Sequence, residues 1–221
     1  MDFQAQDFKR VVKTVFTECK QFDIIAFSLG GRIAIHAIAS TASCSPSDPS
    51  SCQIKIRKAH ITGVSAERGP LAKIIFVSWR DLLTHTPDES SGDVKILMPF
   101  AWSLIMATYS DRFLALNGPE KVSSWVEHIS SNHKRFGLLE LIKQTGKTDP
   151  IEVADLIRSS DTQIQLAVGG EDKISIRSEV EKLHAAFQLN NDILVYENCA
   201  HAVLNEKALQ WRKDGLQFLK S

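Results

Sequence analysis

Short apolar runs alternate with amphipathic stretches at both ends of this chain. The apolar runs predict buried strands over residues 22–27, 56–64, 164–168 and 192–197. Apolar residues at helical spacing predict helices over residues 3–20, 29–40, 177–189 and 206–219. Strands that alternate with helices in this way form parallel sheets covered by helices on both faces. The pattern therefore predicts an α/β fold with a mostly parallel sheet.

Between residues 70 and 159 the pattern changes to apolar helices, and no strand pattern is convincing. This stretch contains Trp79, Trp102 and Trp125, which are three of the four tryptophans. We predict that it is an inserted helical cap or lid over a pocket, and the alternative is that the aromatic residues only build the core of a helical subdomain. The predicted organisation is a core at residues 1–69 and 160–221, interrupted by the cap at 70–159.

Charge and hydropathy exclude several kinds of partner. Lysine plus arginine and aspartate plus glutamate both number 26, so no overall field attracts nucleic acid or an anionic membrane. The longest uncharged run, residues 96–110, is shorter than the roughly 20 apolar residues that span a bilayer, and we predict no transmembrane helix. The N-terminus shows no secretory signal pattern. Localisation is therefore left open, with the cytoplasm as the default expectation.

The four cysteines do not have the spacing of a metal site. Cys44 and Cys52 flank a polar loop and could pair in an oxidising compartment, but we expect Cys19, Cys44, Cys52 and Cys199 to be free thiols. We expect neither a metal nor an organic cofactor.

Ser28 follows the first predicted strand directly and precedes a predicted helix. Such a sharp strand-to-helix turn is a nucleophile elbow, in which the serine hydroxyl projects clear of the backbone and the helix N-terminus offers free N–H groups. The flanking residues must be small because strand and helix nearly touch. Gly30 and Gly31 meet this requirement, and Ala26 stands where the commoner pattern has glycine. The alternative is an ordinary turn.

Two further candidate residues follow later strands. Asp172 comes after the strand at 164–168, and His201 comes after the strand at 192–197. Parallel strands place their carboxyl ends at one edge of the sheet, so Ser28, Asp172 and His201 can converge there. Glu171 is a weaker candidate for the acid. The remaining histidines are predicted to be surface or packing residues: His36, His60, His85, His128, His133 and His184.

These motifs resemble those of the α/β-hydrolase superfamily. The resemblance rests on the chain order Ser, Asp, His and on three stretches, Ala-Phe-Ser-Leu-Gly-Gly, Val-Gly-Gly-Glu-Asp-Lys and Asn-Cys-Ala-His-Ala. It implies that Ser28 is the nucleophile, that His201 is the general base and acid, and that Asp172 orients the histidine. It also implies that the backbone N–H of Leu29 is one oxyanion donor.

The resemblance begins only at the helix before the elbow. In the superfamily several strands precede that helix, and the second oxyanion donor comes from the loop after the third strand, often with a His-Gly motif. No His-Gly precedes Ser28. We therefore expect a partial, N-terminally truncated fold, and favour a fragment or a truncated gene model over a natural short form. A partner, such as a second copy, could also cover the open sheet edge.

The resemblance implies a serine hydrolase that cleaves a carboxylic ester or thioester through an acyl-enzyme, with an apolar acyl pocket under the cap. One alternative is an enzyme similar to the menaquinone-pathway lyase of the same superfamily. Arg32 motivates it, although an arginine there can also lie on the solvent side of a helix. Another alternative is a non-catalytic binding or interaction module with a vestigial triad. Glu67 and Arg68 either line the site or are solvated loop charges.

Overall fold

The computed structural model describes residues 2–15, 21–42, 55–87 and 95–221. The strands of these ranges are β1 (Gln21–Phe27), β2 (Lys55–Thr62), β3 (Gln163–Gly169) and β4 (Leu194–Tyr196). They form one sheet in the order β1-β2-β3-β4, and every neighbouring pair is parallel. The predicted α/β class with a mostly parallel sheet is confirmed.

Helices connect and cover these strands. In chain order they are α1 (Asp2–Val15), α2 (Leu29–Ala42), α3 (Pro70–His85), α4 (Met98–Thr108), α5 (Asp111–Asn132), α6 (Arg135–Thr145), α7 (Ala154–Arg158), α8 (Arg177–Phe187), α9 (Val203–Glu206) and α10 (Ala208–Lys220). A short 3₁₀ turn, Pro150–Val153, leads into α7.

The side chains of the central strand β2 alternate between two covered faces. Ala59 and Ile61 belong to the main hydrophobic core, which α1, α2, α7 and α8 complete from one side of the sheet. His60 and Thr62 point to the other side, where they meet Trp211 of α10. Strands covered on both faces are buried almost throughout, which explains why β2 reads as apolar at most positions.

Among the described strands, β1 lies at one edge of the sheet and pairs only with β2. Most of its residues are half-buried. An edge strand presents unpaired backbone groups, which is the physical basis for the expected self-association at this edge. That association stays a prediction.

Residues 70–158, here called the helical segment, contain helices α3 to α7 and no strand in their described part. α5, from Asp111 to Asn132, is interrupted at Gly118, whose φ is 75°. Pro119 then restarts the helix, because proline fits the first turn but cannot sit in an unbroken helix interior.

Two of the three tryptophans of the helical segment, Trp79 and Trp125, pack inside it, whereas Trp102 is exposed. Trp79 lies 5 % exposed with its ring 5.0 Å from that of Phe76 and its Nε1–H donating to Ser103 Oγ. Trp125 stacks on Tyr109, with 5.6 Å between the ring centroids. These rings thus build the core of the segment itself. Its role as a cap stays a prediction.

Three boundaries near the sheet's carboxyl edge differ from the expected ones. β2 ends at Thr62 and not at 64, because Gly63 turns the chain with φ 67°. β4 covers only Leu194–Tyr196, and the last helix is divided at Lys207 into α9 and α10.

None of the helices in the described ranges has the length and apolar character needed to cross a membrane. Cys19, Cys44 and Cys52 lie outside the described residues, and with them the predicted option of a Cys44–Cys52 pair. Cys199 is a free, buried thiol. Within the described part of the chain, no group of three or more His, Cys, Asp or Glu side chains could hold a metal ion.

Candidate active site

Ser28 occupies a strained turn between β1 and α2. Its φ is 50°, in the left-handed region that side chains other than glycine rarely adopt. Two backbone hydrogen bonds hold the turn: Ser28 N–H donates to Thr62 O at 2.8 Å, and Arg32 N–H donates to Ser28 O at 3.1 Å. This is the geometry that projects a serine side chain away from the sheet, as an elbow requires.

Gly31 is the residue that lets α2 approach β2 closely. A Cβ atom at this position would lie 2.6 Å from Val64 Cγ2 and 2.8 Å from Ile61 Cγ2. At Gly30, by contrast, an added Cβ would meet no atom within 4 Å. We predicted that both glycines are needed for close packing. That is correct for Gly31 and wrong for Gly30, because Gly30 faces open space.

Asp172 lies in the turn after β3 and is fixed by backbone donors. The N–H groups of Ile174 and Ser175 both donate to Asp172 Oδ1 at 2.8 Å. Its other oxygen, Oδ2, lies 2.8 Å from His201 Nδ1. Since both carboxylate oxygens have partners, this buried acid is held in one orientation.

The loop that carries His201 packs tightly against the loop that carries Asp172. A Cβ atom at Gly169 would lie 2.0 Å from Ala200 O, so only glycine fits there. Glu171 N–H also donates to Cys199 O at 2.9 Å, which ties the two loops together. The side chain of Glu171 is exposed and is not bonded to His201.

The structure brings the three predicted site residues together. His201 Nε2 lies 2.8 Å from Ser28 Oγ, although 173 positions separate the two residues, and His201 Nδ1 lies 2.8 Å from Asp172 Oδ2. The imidazole is buried beside Phe27, whose ring centroid is 5.1 Å away. A serine, a histidine and an aspartate connected in this order can transfer a proton from the hydroxyl to the imidazole.

A cleft of about 60 Å³ opens at Ser28. Leu29 lines it and is the first residue of α2, where a helix leaves its N–H groups without intrahelical acceptors. A backbone donor at this place can stabilise an oxyanion. No histidine lines this cleft, since His201 contacts Ser28 from outside it, and none of the three tryptophans of the helical segment does; Phe76 is the aromatic residue that lines it in the described part of the chain.

Arg32 is buried and not on the solvent side of α2, so that interpretation is wrong. It is 8 % exposed, and its guanidinium donates to the carbonyl oxygens of Thr145 and Thr148 and to Asp149 Oδ1 at 3.1 Å. These acceptors come from the end of the helical segment, more than 110 positions away. Sequence periodicity carries no signal for a contact at that separation.

Arg68 lines the cleft, whereas Glu67 is exposed. Its guanidinium lies 3.8 Å from the centre of the Phe76 ring and donates to Thr145 Oγ1. Burial, with the nearby charge of Arg32, lowers the pKa of Arg68 to about 10, and Asp149 partly opposes this shift. At neutral pH the group is still positively charged, so of the two alternatives for this residue the structure places it at the site.

Glu206 is a residue near the site that sequence reasoning missed. Its Oε1 accepts hydrogen bonds from Ser110 N–H at 3.0 Å and from Ala200 N–H at 3.2 Å. Ala202 N–H donates to Thr108 O at 2.8 Å. These bonds hold the His201 loop against the start of α5. The only sequence signal is an acid five positions after the histidine, which is too common to be read.

Comparisons with known proteins bear on the fold. Neither a protein-family model nor a curated protein sequence matches this chain. Solved structures do match: an α/β-hydrolase enzyme from a Medee basin deep-sea metagenome library, with a TM-score of 0.75 and 20% identity, covers 98% of this chain and 70% of its own.

Two further solved structures match over 98% of this chain. One is a bromoperoxidase from Bacillus anthracis, with a TM-score of 0.73, 14% identity and 73% of its own chain covered. The other is the enol-lactonase from Burkholderia xenovorans, with a TM-score of 0.72, 11% identity and 72% of its own chain covered. Structural matches at identities this low establish the fold, whereas the chemistry has to be inferred from the residues of this chain. The parallel sheet, the elbow and these matches agree, and the protein has a partial α/β-hydrolase fold.

Proposed function

We propose that this protein is a serine hydrolase that cleaves a carboxylic ester or thioester through an acyl-enzyme on Ser28. The observation that carries the proposal is the hydrogen-bonded series Ser28 Oγ, His201 and Asp172, with 2.8 Å at each step. A serine hydroxyl is a weak nucleophile at neutral pH, and an adjacent imidazole activates it by accepting its proton.

The proposed reaction has two halves. Ser28 Oγ attacks the substrate carbonyl while His201 Nε2 takes the hydroxyl proton, and the resulting oxyanion is stabilised by the N–H of Leu29. His201 then returns the proton to the departing alcohol or thiol, which leaves the acyl group on Ser28. A water molecule attacks this acyl group, again with His201 as the base, and the acid is released with free Ser28.

A fluorophosphonate probe tests the proposal, because it reacts with activated serines. We expect labelling of Ser28 in the folded chain, detected by mass spectrometry of the modified peptide. Ser28→Ala and His201→Gln should abolish labelling, while Ser124→Ala, which changes an exposed serine on α5, should not. A folded protein that stays unlabelled would contradict the proposal and favour the non-catalytic binding module.

The lyase-like alternative stays a prediction that the structure does not favour. It was motivated by Arg32, and the guanidinium of Arg32 is already engaged by Thr148 O and Asp149. Release of pyruvate from the menaquinone-pathway intermediate, without an acyl-enzyme, would favour the lyase over the hydrolase.

A further inference from the structure

A second, larger concavity adjoins the cleft at Ser28. It lies between α3 and α6 and has a volume of about 580 Å³. Of its twelve lining residues, one is acidic, Glu140, and five are cationic: Arg68, Lys73, Arg80, Lys143 and Lys147. The chain as a whole carries equal numbers of acidic and basic residues, so positive charge is concentrated here. We call this concavity the basic groove.

The basic groove is continuous with the cleft at Ser28. Arg68 and Phe76 line both of them. The cleft of about 60 Å³ has room for little more than the reacting group, whereas the groove can hold the remainder of a substrate. A substrate whose carbonyl lies at Ser28 would therefore pass Arg68 and Phe76 and continue along α3 and α6.

Much of the positive charge in the basic groove is not neutralised by ion pairs among the described residues. Arg80 pairs with Asp81 at 3.0 Å, and Lys143 pairs with Glu140 at 3.3 Å. For Arg68, Lys73 and Lys147, no carboxylate of the described ranges lies within ion-pair distance. Within the described part of the chain, three cations along one groove thus have no ion-pair partner; Lys73 and Lys147 are exposed and Arg68 is half-buried.

At the junction of groove and cleft, two guanidinium groups share one carboxylate. Asp149 forms an ion pair with Arg32, which also lines the cleft, and its charge reaches Arg68 without a direct contact. The Nε atom of buried Arg32 has no hydrogen-bond partner among the described residues. Partly buried positive charge costs free energy unless an anion compensates it. The planar donor fork of arginine fits the oxygens of a carboxylate or a phosphate.

We propose that the ester or thioester cleaved at Ser28 carries a carboxylate or phosphate group, and that this anion binds in the basic groove, where Arg68, Lys73 and Lys147 supply the counter-charge. The inference rests on the proposed hydrolase function and names its substrate class. The sequence led us to expect an apolar acyl pocket. The groove does contain the apolar residues Val77, Leu139 and Ile142, but they lie among cations, so the proposed substrate carries an anion as well as apolar groups.

Two matched substrate pairs locate the anion. 4-Nitrophenyl hydrogen glutarate and 4-nitrophenyl valerate differ by a carboxylate on the acyl chain. S-Butyryl-4′-phosphopantetheine and S-butyryl-pantetheine differ by one phosphate on the leaving group. In at least one pair we expect kcat/KM to be about tenfold or more higher for the anionic member, chiefly through a lower KM. The pair that shows the preference identifies carboxylate or phosphate as the source.

The double variant Lys73→Gln/Lys147→Gln removes two counter-charges from the groove. We expect the ratio of kcat/KM between the anionic and neutral members to fall about tenfold, because one exposed ion pair contributes roughly two- to fivefold in affinity. The matched control Lys213→Gln/Lys220→Gln removes two exposed lysines from α10 and should leave the ratio unchanged. Added NaCl should reduce the preference of the wild-type protein.

The outcomes separate this inference from the proposed function. If Ser28 is labelled and the neutral members are hydrolysed as well as the anionic ones, the anionic substrate class is wrong while the hydrolase stands. If nothing is labelled or hydrolysed, the proposed hydrolase function is wrong. Calorimetric titration with coenzyme A and with monomethyl glutarate then tests whether the groove binds anions. Binding that weakens in the groove variant, and not in the α10 control, supports an anion site; absence of binding overturns it.

Discussion

A methyl group added at Gly31 tests how closely α2 must approach the sheet beneath Ser28. The Cβ atom introduced by Gly31→Ala would lie 2.6 Å from Val64 Cγ2 and 2.8 Å from Ile61 Cγ2, both nearer than carbon atoms pack. Gly30→Ala adds the same methyl group one residue earlier, where no atom lies within 4 Å. The two variants differ only in whether the new atom meets the sheet.

The magnitudes follow from two opposing effects. Replacing glycine by alanine within a helix stabilises it by up to about 1 kcal/mol. Overpacking a filled interior costs about 1–3 kcal/mol. We therefore expect Gly30→Ala to raise the free energy of unfolding by up to about 1 kcal/mol. Gly31→Ala should lower it by about 1–2 kcal/mol, and the helix should move away from β2.

Urea unfolding followed by circular dichroism measures this difference, with the slope of the transition checked for each variant. Because Ser28 is directly attached to α2, the fluorophosphonate labelling rate should fall in Gly31→Ala and not in Gly30→Ala. Equal stability and equal labelling of the two variants would refute the close contact between α2 and β2 as the basis of the elbow.

Three further predictions concern buried groups. Burial, opposed in part by the charge of Asp214, lowers the pKa of His60 to about 4. An unfolded histidine titrates near pH 6.5, so between pH 4 and 6.5 the unfolded chain binds more protons than the folded protein does. The free energy of unfolding is therefore highest above about pH 6.5 and falls by up to about 3 kcal/mol toward pH 4. His60→Leu should flatten this dependence in urea titrations, whereas His128→Gln, at an exposed position, should not. Glu206→Gln should lower the free energy of unfolding by about 1–2 kcal/mol, because it replaces charge-assisted hydrogen bonds to Ser110 and Ala200 by neutral ones. Glu127→Gln on the exposed surface is the control, and an equal effect of the two variants would contradict the role of Glu206 in holding the His201 loop. Burial raises the pKa of Cys199 to about 12, so iodoacetamide should modify it in urea and leave it unmodified in the folded protein, as read by mass spectrometry.

The parts of the fold that depend on local pattern could be predicted from the sequence. Each strand of the sheet is recognisable as an apolar run, and the helices around the sheet are recognisable from their spacing. The meeting of Ser28, Asp172 and His201 could be anticipated because each follows a strand, and parallel strands end at one edge. The end of β2 was predicted less accurately, because a single residue decides it: Gly63 turns the chain with a positive φ.

The contacts between distant segments could not be predicted. From its neighbours in sequence, Arg32 looks like a residue on the solvent side of a helix. Its hydrogen-bond acceptors belong to residues 145–149, more than 110 positions further along the chain. The same holds for Arg68, which is covered by Phe76 and Thr145. A charged residue reads as solvated unless its partner is known, and a single sequence does not identify a partner so far along the chain.

These distant contacts tie the helical segment to the elements that carry two members of the proposed triad, Ser28 and His201. Thr148 and Asp149 hold Arg32, which lies in the first turn of the helix that begins beside Ser28. Near the middle of the segment, Thr108 and Ser110 bind the loop and helix around His201. A displacement of the segment would therefore move the nucleophile helix and the histidine loop relative to each other. Because the 2.8 Å contact between His201 Nε2 and Ser28 Oγ depends on both positions, the proposed proton transfer requires the helical segment to stay in place.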